Sequence, residues 1–208
     1  MGYVQERAAH LVRGDQARAR ILESAGSAFA RQGFNGSSLD RIAQDAGITK
    51  PGLLHHFATK LDLLHAVLTA RENEALADVG REPSSLRVFD TLLAVARRDV
   101  ADEVRTRGFA VLLGEAVATE SPAADWFRHH YASLSDEITS AIRAATASGH
   151  ARPDTDAGGI AAETIALMDG LQTQWLLSGD SETYLRRLAH ALERVRRDIS
   201  VAPGTSPT

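Results

Sequence analysis

Apolar residues along this 208-residue chain recur at spacings of three and four, and no stretch alternates with the period of two that a sheet requires. The pattern predicts an all-α protein. Over 15–32, Ile21, Leu22, Ala25, Ala28 and Phe29 fall on one helical face, with Asp15 as N-cap and Gly33 as the stop. A short second helix opens at Ser37 or Ser38 and ends at Ala46, where Gly47 supplies a left-handed turn residue. Thr49 caps a third short helix that carries Pro51 in its first turn, where a missing N–H costs nothing, and ends near Phe57. Thr59 caps a fourth, with Asp62 three residues on in a capping-box-like pattern and Leu61, Leu64, Val67 and Leu68 directed inward.

Beyond Gly80 and Pro83 the predicted helices lengthen, to 85–105, 106–119, 121–148, 156–178 and 180–199. Ser121-Pro122 reads as a cap and first turn, and Gly179 separates the last two. The divisions expected are a flexible arm at 1–14, a helix-turn-helix domain at 15–75, a larger helical bundle at 76–199 and a loose tail at 200–208.

Composition narrows the classes of function. The chain is 44% hydrophobic and 24% charged, with a formal net charge of −4, so a basic body built for nucleic acid is excluded while a basic patch is not. Residues 1–60 hold eight basic and five acidic side chains; the remainder holds 15 and 22. That asymmetry suggests an N-terminal surface for a polyanion on a body that repels it. The absence of cysteine removes disulfides, thiolate metal sites and thiol nucleophiles, and no metal or cofactor is expected. No apolar run approaches the roughly 20 residues that span a bilayer. The N-terminus has no signal-peptide pattern, and a cytoplasmic protein with no membrane partner is expected. No nucleophile elbow, phosphate loop, dinucleotide glycine run or zinc-protease motif is present, and no enzyme is expected.

The informative stretch is 38–57, SLDRIAQDAGITKPGLLHHF: two short helices joined by a glycine turn. That is helix-turn-helix geometry, in which the second helix enters the major groove by its N-terminal end. The third helix presents Thr49, Lys50, Pro51 and Gly52 first. Short residues let the backbone approach base edges while the cation reaches a guanine or a phosphate. His55, His56 and Lys60 follow where the DNA backbone would pass. Lysine occurs only at Lys50 and Lys60, against 21 arginines. Plain packing of two helices is the bland alternative. For the His55-His56 pair, adjacent side chains about 100° apart disfavour a shared metal ion.

The chain here resembles the N-terminal domain of TetR-family transcriptional regulators over about residues 16–75. The matching features are Arg20-Ile21-Leu22 with Ala25 and Phe29, Gly33-Phe34, Ser38-Leu39, Ile42-Ala43, Ala46-Gly47-Ile48, Leu53, His56-Phe57 and Lys60. Asp169-Gly170-Leu171 is similar to a pattern of the family's C-terminal domains. The resemblance implies a homodimeric, two-domain, all-helical repressor that leaves its (pseudo)palindromic operator when a small molecule enters the C-terminal domain. It assigns Lys50, Pro51 and Gly52 to base contact and Ser38, His55, His56 and Lys60 to phosphates. Leu54 stands where the family commonly has Tyr, so one hydroxyl-to-phosphate bond is missing.

For the effector pocket, Phe109, Leu113, Trp126, Phe127, His130, Tyr131, Met168 and Trp175 are the candidates, with His129 and Glu115 as polar contacts. Each singly is more often plain core than pocket wall. The apolar stripes of 156–178 and 180–199 either close the monomer or meet their copies across a two-fold axis; the resemblance favours the dimer. The competing reading is a helical ligand carrier or protein-interaction module with a vestigial helix-turn-helix.

Overall fold

The computed structural model describes residues 2–77, 86–118 and 121–201, with side chains described from residue 14 and, within the fourth helix, to residue 70. Among these residues the regular structure is nine helices and no strand: α1 (Gly2–Gly36), α2 (Leu39–Asp45), α3 (Lys50–His56), α4 (Lys60–Ala77), α5 (Val88–Ala101), α6 (Glu103–Ala118), α7 (Ala124–Ala147), α8 (Ala157–Ser178) and α9 (Ser181–Ile199). They divide into two compact units, Met1–Glu74 with Val104–Phe127, and Ala75–Glu103 with Arg128–Thr208.

The first unit is built on the apolar face of α1. Ile21, Ala25 and Phe29 are fully buried, as are Ile42 of α2, Leu53 of α3 and Leu63 and Leu64 of α4. Leu112 of α6 is 2% exposed. The expected inward position of Leu61 is corrected: it is 37% exposed, and Leu63 takes the buried place one turn before Val67. The capping box explains the phase. The Thr59 N–H donates to Asp62 Oδ2 at 2.9 Å and the Asp62 N–H to Thr59 Oγ1 at 3.0 Å, which fixes the first turn with Leu61 facing out.

Asp15 is not an N-cap. The α1 backbone is helical back to Gly2, because residues 4–13 are helix formers without proline and Gly14 does not break the run. Residues 2–14 of the expected arm are thus helical in backbone. Gly33 does end the regular helix, at φ 69° and ψ −178°, which only glycine adopts without strain, and one further turn follows to Gly36.

In the second unit α9 packs on α5 and α8. Phe89 and Ala96, Ile138 and Ile142, Ala161 and Thr164, and Leu188 and Leu192 form its core. Trp175 stacks flat on Tyr184, with centroids 5.0 Å apart and planes 8° from parallel. Asp156 and Asp180 cap α8 and α9, accepting the N–H groups of Gly159 and Thr183 at 3.0 Å each, and Gly179 between them is left-handed. The expected loose tail is corrected at its first two residues. The Arg152 N–H donates to the Ile199 carbonyl at 2.8 Å and the Val201 N–H to that of His150 at 3.1 Å, tying the end of α9 to the α7–α8 connection. Ser85, Thr119 and residues 202–208, parts of the expected helices and tail, lie outside the described residues.

The Thr183 hydrogen bonds hold the Asp180 carboxyl below its ordinary value of 3.8. A depressed carboxyl stabilises the fold above its unfolded pKa, and the contribution is lost as pH falls through the folded one. Asp180→Asn keeps a capping oxygen and removes the titration. Its urea midpoint is expected to fall less steeply than the parent's below about pH 4, as followed by circular dichroism.

Candidate nucleic-acid interface

A seven-residue helix has little stability of its own, so α3 depends on what holds it. Leu53 is its buried anchor. Gly47, at φ 69°, reverses the chain after α2, with its N–H on the Gln44 carbonyl and that of Ile48 on Ala43, both at 3.0 Å. Thr49 begins α3 in extended conformation and its Oγ1 accepts the Gly52 N–H at 3.2 Å. With Leu53 turned inward, Thr49, Lys50 and Pro51 point outward. Gly52 is half-buried, and a Cβ there would lie 3.3 Å from Thr49 Oγ1, a tight fit against the cap.

Two arginines to which the sequence reading gave no contact brace this pair. Arg20 donates from Nε to the Ala46 carbonyl at 3.3 Å, and the Arg18 guanidinium lies 5.2 Å from the Phe57 ring centroid. Both are contacts of α1 with residues 26 or more positions away, so no local spacing could announce them.

The two lysines have different fates. Lys50 is exposed and paired with Asp40 of α2 at 2.9 Å. With side chains 44% and 68% exposed, such a pair is weak and exchangeable. Lys60 is turned inward. Its ammonium donates to the carbonyls of Phe34 and, at 2.6 Å, Ser37, and lies 4.5 Å from the Phe34 ring centroid. Burial pushes its pKa down, and the neighbouring Glu115 carboxylate draws it back up. The orphan carbonyls at the end of α1 thus hold the cation that the resemblance assigns to phosphate.

Ser38 is exposed, and its hydroxyl makes no cap hydrogen bond to α2. His55 is exposed and His56 half-buried, their rings 5.7 Å apart and edge-on. Leu54 is 37% exposed on the same helix.

The candidate pocket residues divide between the units. In the first, Phe109, Trp126 and Phe127 form an edge-to-face cluster with centroids 5.1–6.4 Å apart, and Leu113 is half-buried on α6. In the second, Tyr131 donates to Asp169 Oδ2 at 2.8 Å beside His130, and Met168 is half-buried. Trp175, on its Tyr184 stack, borders an open groove of about 370 Å³ between α8 and α9. His129 is exposed. Glu115 accepts the Phe34 N–H at 2.8 Å, a role the sequence reading did not foresee for it.

The family model for bacterial regulatory proteins of the tetR family matches residues 21–67, and that for the C-terminal domain of BetI-type transcriptional repressors matches residues 86–197, more than half of the chain. The chain belongs to the TetR family. It is a DNA-binding transcriptional regulator and not an enzyme. Among curated relatives it is 30% identical over 99 residues to the transcriptional regulator SrpR of Pseudomonas putida, a match covering 48% of this chain and 46% of that protein. It is 28% identical over 174 residues to the regulator TtgR, also of Pseudomonas putida, covering 80% and 83%. The crystal structure of TylP, a TetR regulator from Streptomyces fradiae, shares its fold with a TM-score of 0.74 at 22% identity, covering 91% of this chain and 89% of that one. Among the described residues no helix of this TetR-family chain is long and apolar enough to cross a membrane.

Lys60→Met, which keeps the stem over the Phe34 ring and removes the donors, is expected to lower stability by about 1–3 kcal/mol, read from urea midpoints. It should leave the salt slope of DNA binding unchanged, where loss of a phosphate contact would reduce it by about one.

Proposed function

We propose that this chain is a ligand-responsive repressor that grips a (pseudo)palindromic operator as a homodimer and acts in the cytoplasm, where its DNA is. The observation that carries the DNA contact is the outward-facing, Thr49-capped start of α3. There Lys50, Pro51 and Gly52 meet base edges, while Thr49, Ser38, His55 and the exposed part of His56 meet flanking phosphates. Lys60 acts indirectly, by holding the turn into α2. Asp40 keeps the Lys50 ammonium oriented until DNA replaces it, at the cost of a carboxylate near the phosphates.

Dimerisation through α8 and α9 is supported by the composition of α8. Ala161, Thr164 and Trp175 face the core of their own unit, yet Ala162, Ala166, Gly170 and Leu177 on other sides are small or apolar and exposed, Leu177 at 84%. Small and apolar positions left exposed on α8, between Glu163, Thr173 and Gln174, are covered when a second copy of the same face meets them in an isologous pair. Two copies of α3 must then stand about 34 Å apart, one duplex turn. A small molecule regulates only by its differential affinity for dimers with and without that spacing.

Repression is supported by the C-terminal family match to BetI-type transcriptional repressors. Effector binding is supported by polar groups among apolar residues in the second unit. Tyr131 meets Asp169, Gln172 donates to Asp99 at 3.0 Å, and the buried Thr164 hydroxyl has no hydrogen-bond partner among the described residues. The Phe109, Trp126 and Phe127 cluster is the aromatic candidate in the first unit.

A duplex selected by the protein from a random-sequence pool tests the α3 assignment. Lys50→Ala is expected to relax base preference at about 1–3 kcal/mol, and Asp40→Asn to tighten binding to every sequence. If mobility shifts find both variants equal to the parent, α3 does not read the groove. Leu177→Arg is expected to move the protein from dimer to monomer in light scattering, with loss of operator binding. A monomeric parent would sink the dimer.

A further inference from the structure

The Phe34 peptide unit is held on both sides by charges from distant helices. Because Gly33 breaks α1, the Phe34 N–H has no regular helical partner, and the Glu115 carboxylate of α6 takes it at 2.8 Å. The carbonyl of the same residue, with that of Ser37, takes the Lys60 ammonium at the start of α4. Glu115 and Lys60 also attract each other. A Cβ on Gly33 would overlap the Glu115 carboxylate, so the glycine admits the acid as well as the turn.

The position of Glu115 is itself set. Seven residues earlier, two turns back on the same face of α6, Gly108 lies directly on α1. A Cβ there would come within 3.1 Å of the Ala30 Cβ and 3.3 Å of its Cα. Thus α6 docks on α1 at backbone contact through Gly108 and presents Glu115 one α1 turn further along, at Phe34. From Phe34 the chain enters α2 within five residues, and α2 carries α3.

We propose that Glu115 is a positioning residue for operator recognition, the side chain by which α6 fixes the end of α1 and hence the angle at which α2 and α3 are offered to DNA. The proposal rests on the DNA-binding reading above and adds to it a determinant that lies far in sequence from the helix-turn-helix and touches no DNA. Without the carboxylate, the Phe34 N–H loses its partner and Gly33 regains its other conformations. The reading pair stays folded about Leu53 but is no longer held at one angle. Specific contacts, which need register, weaken. Phosphate attraction, which does not, persists.

The test compares parent, Glu115→Ala and Glu115→Gln in the full-length protein by amide hydrogen exchange and by binding to the pool-selected duplex and to an unrelated duplex over a salt series. In the alanine variant the Phe34 amide should exchange about tenfold faster, while those of Leu53 and Phe57 keep the parent's rate. Affinity for the selected duplex should fall about three- to tenfold, with the unrelated duplex and the salt slope unchanged. The glutamine variant retains an acceptor oxygen and should restore Phe34 protection and selectivity. Should the alanine variant not fold, Glu115→Met, which fills similar volume without an acceptor, takes its place. Parental exchange at Phe34, or an unchanged ratio of selected to unrelated affinity, overturns the proposal. A parent that selects no duplex overturns the DNA-binding reading itself, and the proposal with it.

Discussion

A recognition helix of two turns cannot hold its own shape, and the structure of the first unit follows from that constraint. Seven residues form too few internal hydrogen bonds to offset the entropy of ordering them. α3 exists because Leu53 is buried, because Thr49 satisfies the Gly52 N–H, and because Gly47 turns the chain without strain. Each device faces inward or along the axis, and that leaves the outer face to Thr49, Lys50 and Pro51. Rigidity and exposure come from the same few side chains.

Charge is handled by the same economy. With a net charge of −4, the molecule cannot attract DNA as a whole and must do so locally. Yet of its two lysines one is turned in to close α1 and the other is paired to Asp40. In the proposed reading, attraction to phosphate therefore falls to Thr49, Ser38, His55 and the exposed part of His56. In the same reading, discrimination falls to the Lys50 ammonium, which exchanges Asp40 for DNA. A weak exposed ion pair suits that exchange, because little is lost when it breaks.

Helix boundaries were legible wherever a residue type acts on its own backbone. Thr49, Asp156, Asp180, Gly47 and Gly179 all stand at helix ends as expected, since capping and positive φ are decided within three or four residues. The reading failed where a local signal competed with continuation. Asp15 looks like a cap, but nothing before it stops a helix. Leu61 looks like core, but the capping box rotates it outward and gives its place to Leu63. Of the aromatic pocket candidates, Trp175 stacks on Tyr184, nine residues away across a glycine turn that periodicity within one helix does not describe.

Sequence alone determined the element types, the turn chemistry and the solvent-facing start of α3, since those depend on neighbours along the chain. Tertiary structure decided what the ionic groups do. Lys60 and Glu115 are 55 positions apart, and only the close approach of α6 to α1 at Gly108 brings both to the Phe34 peptide. A charged side chain long enough to reach several partners is assigned by whichever unsatisfied group the fold carries within its range, and that distance is a property of packing.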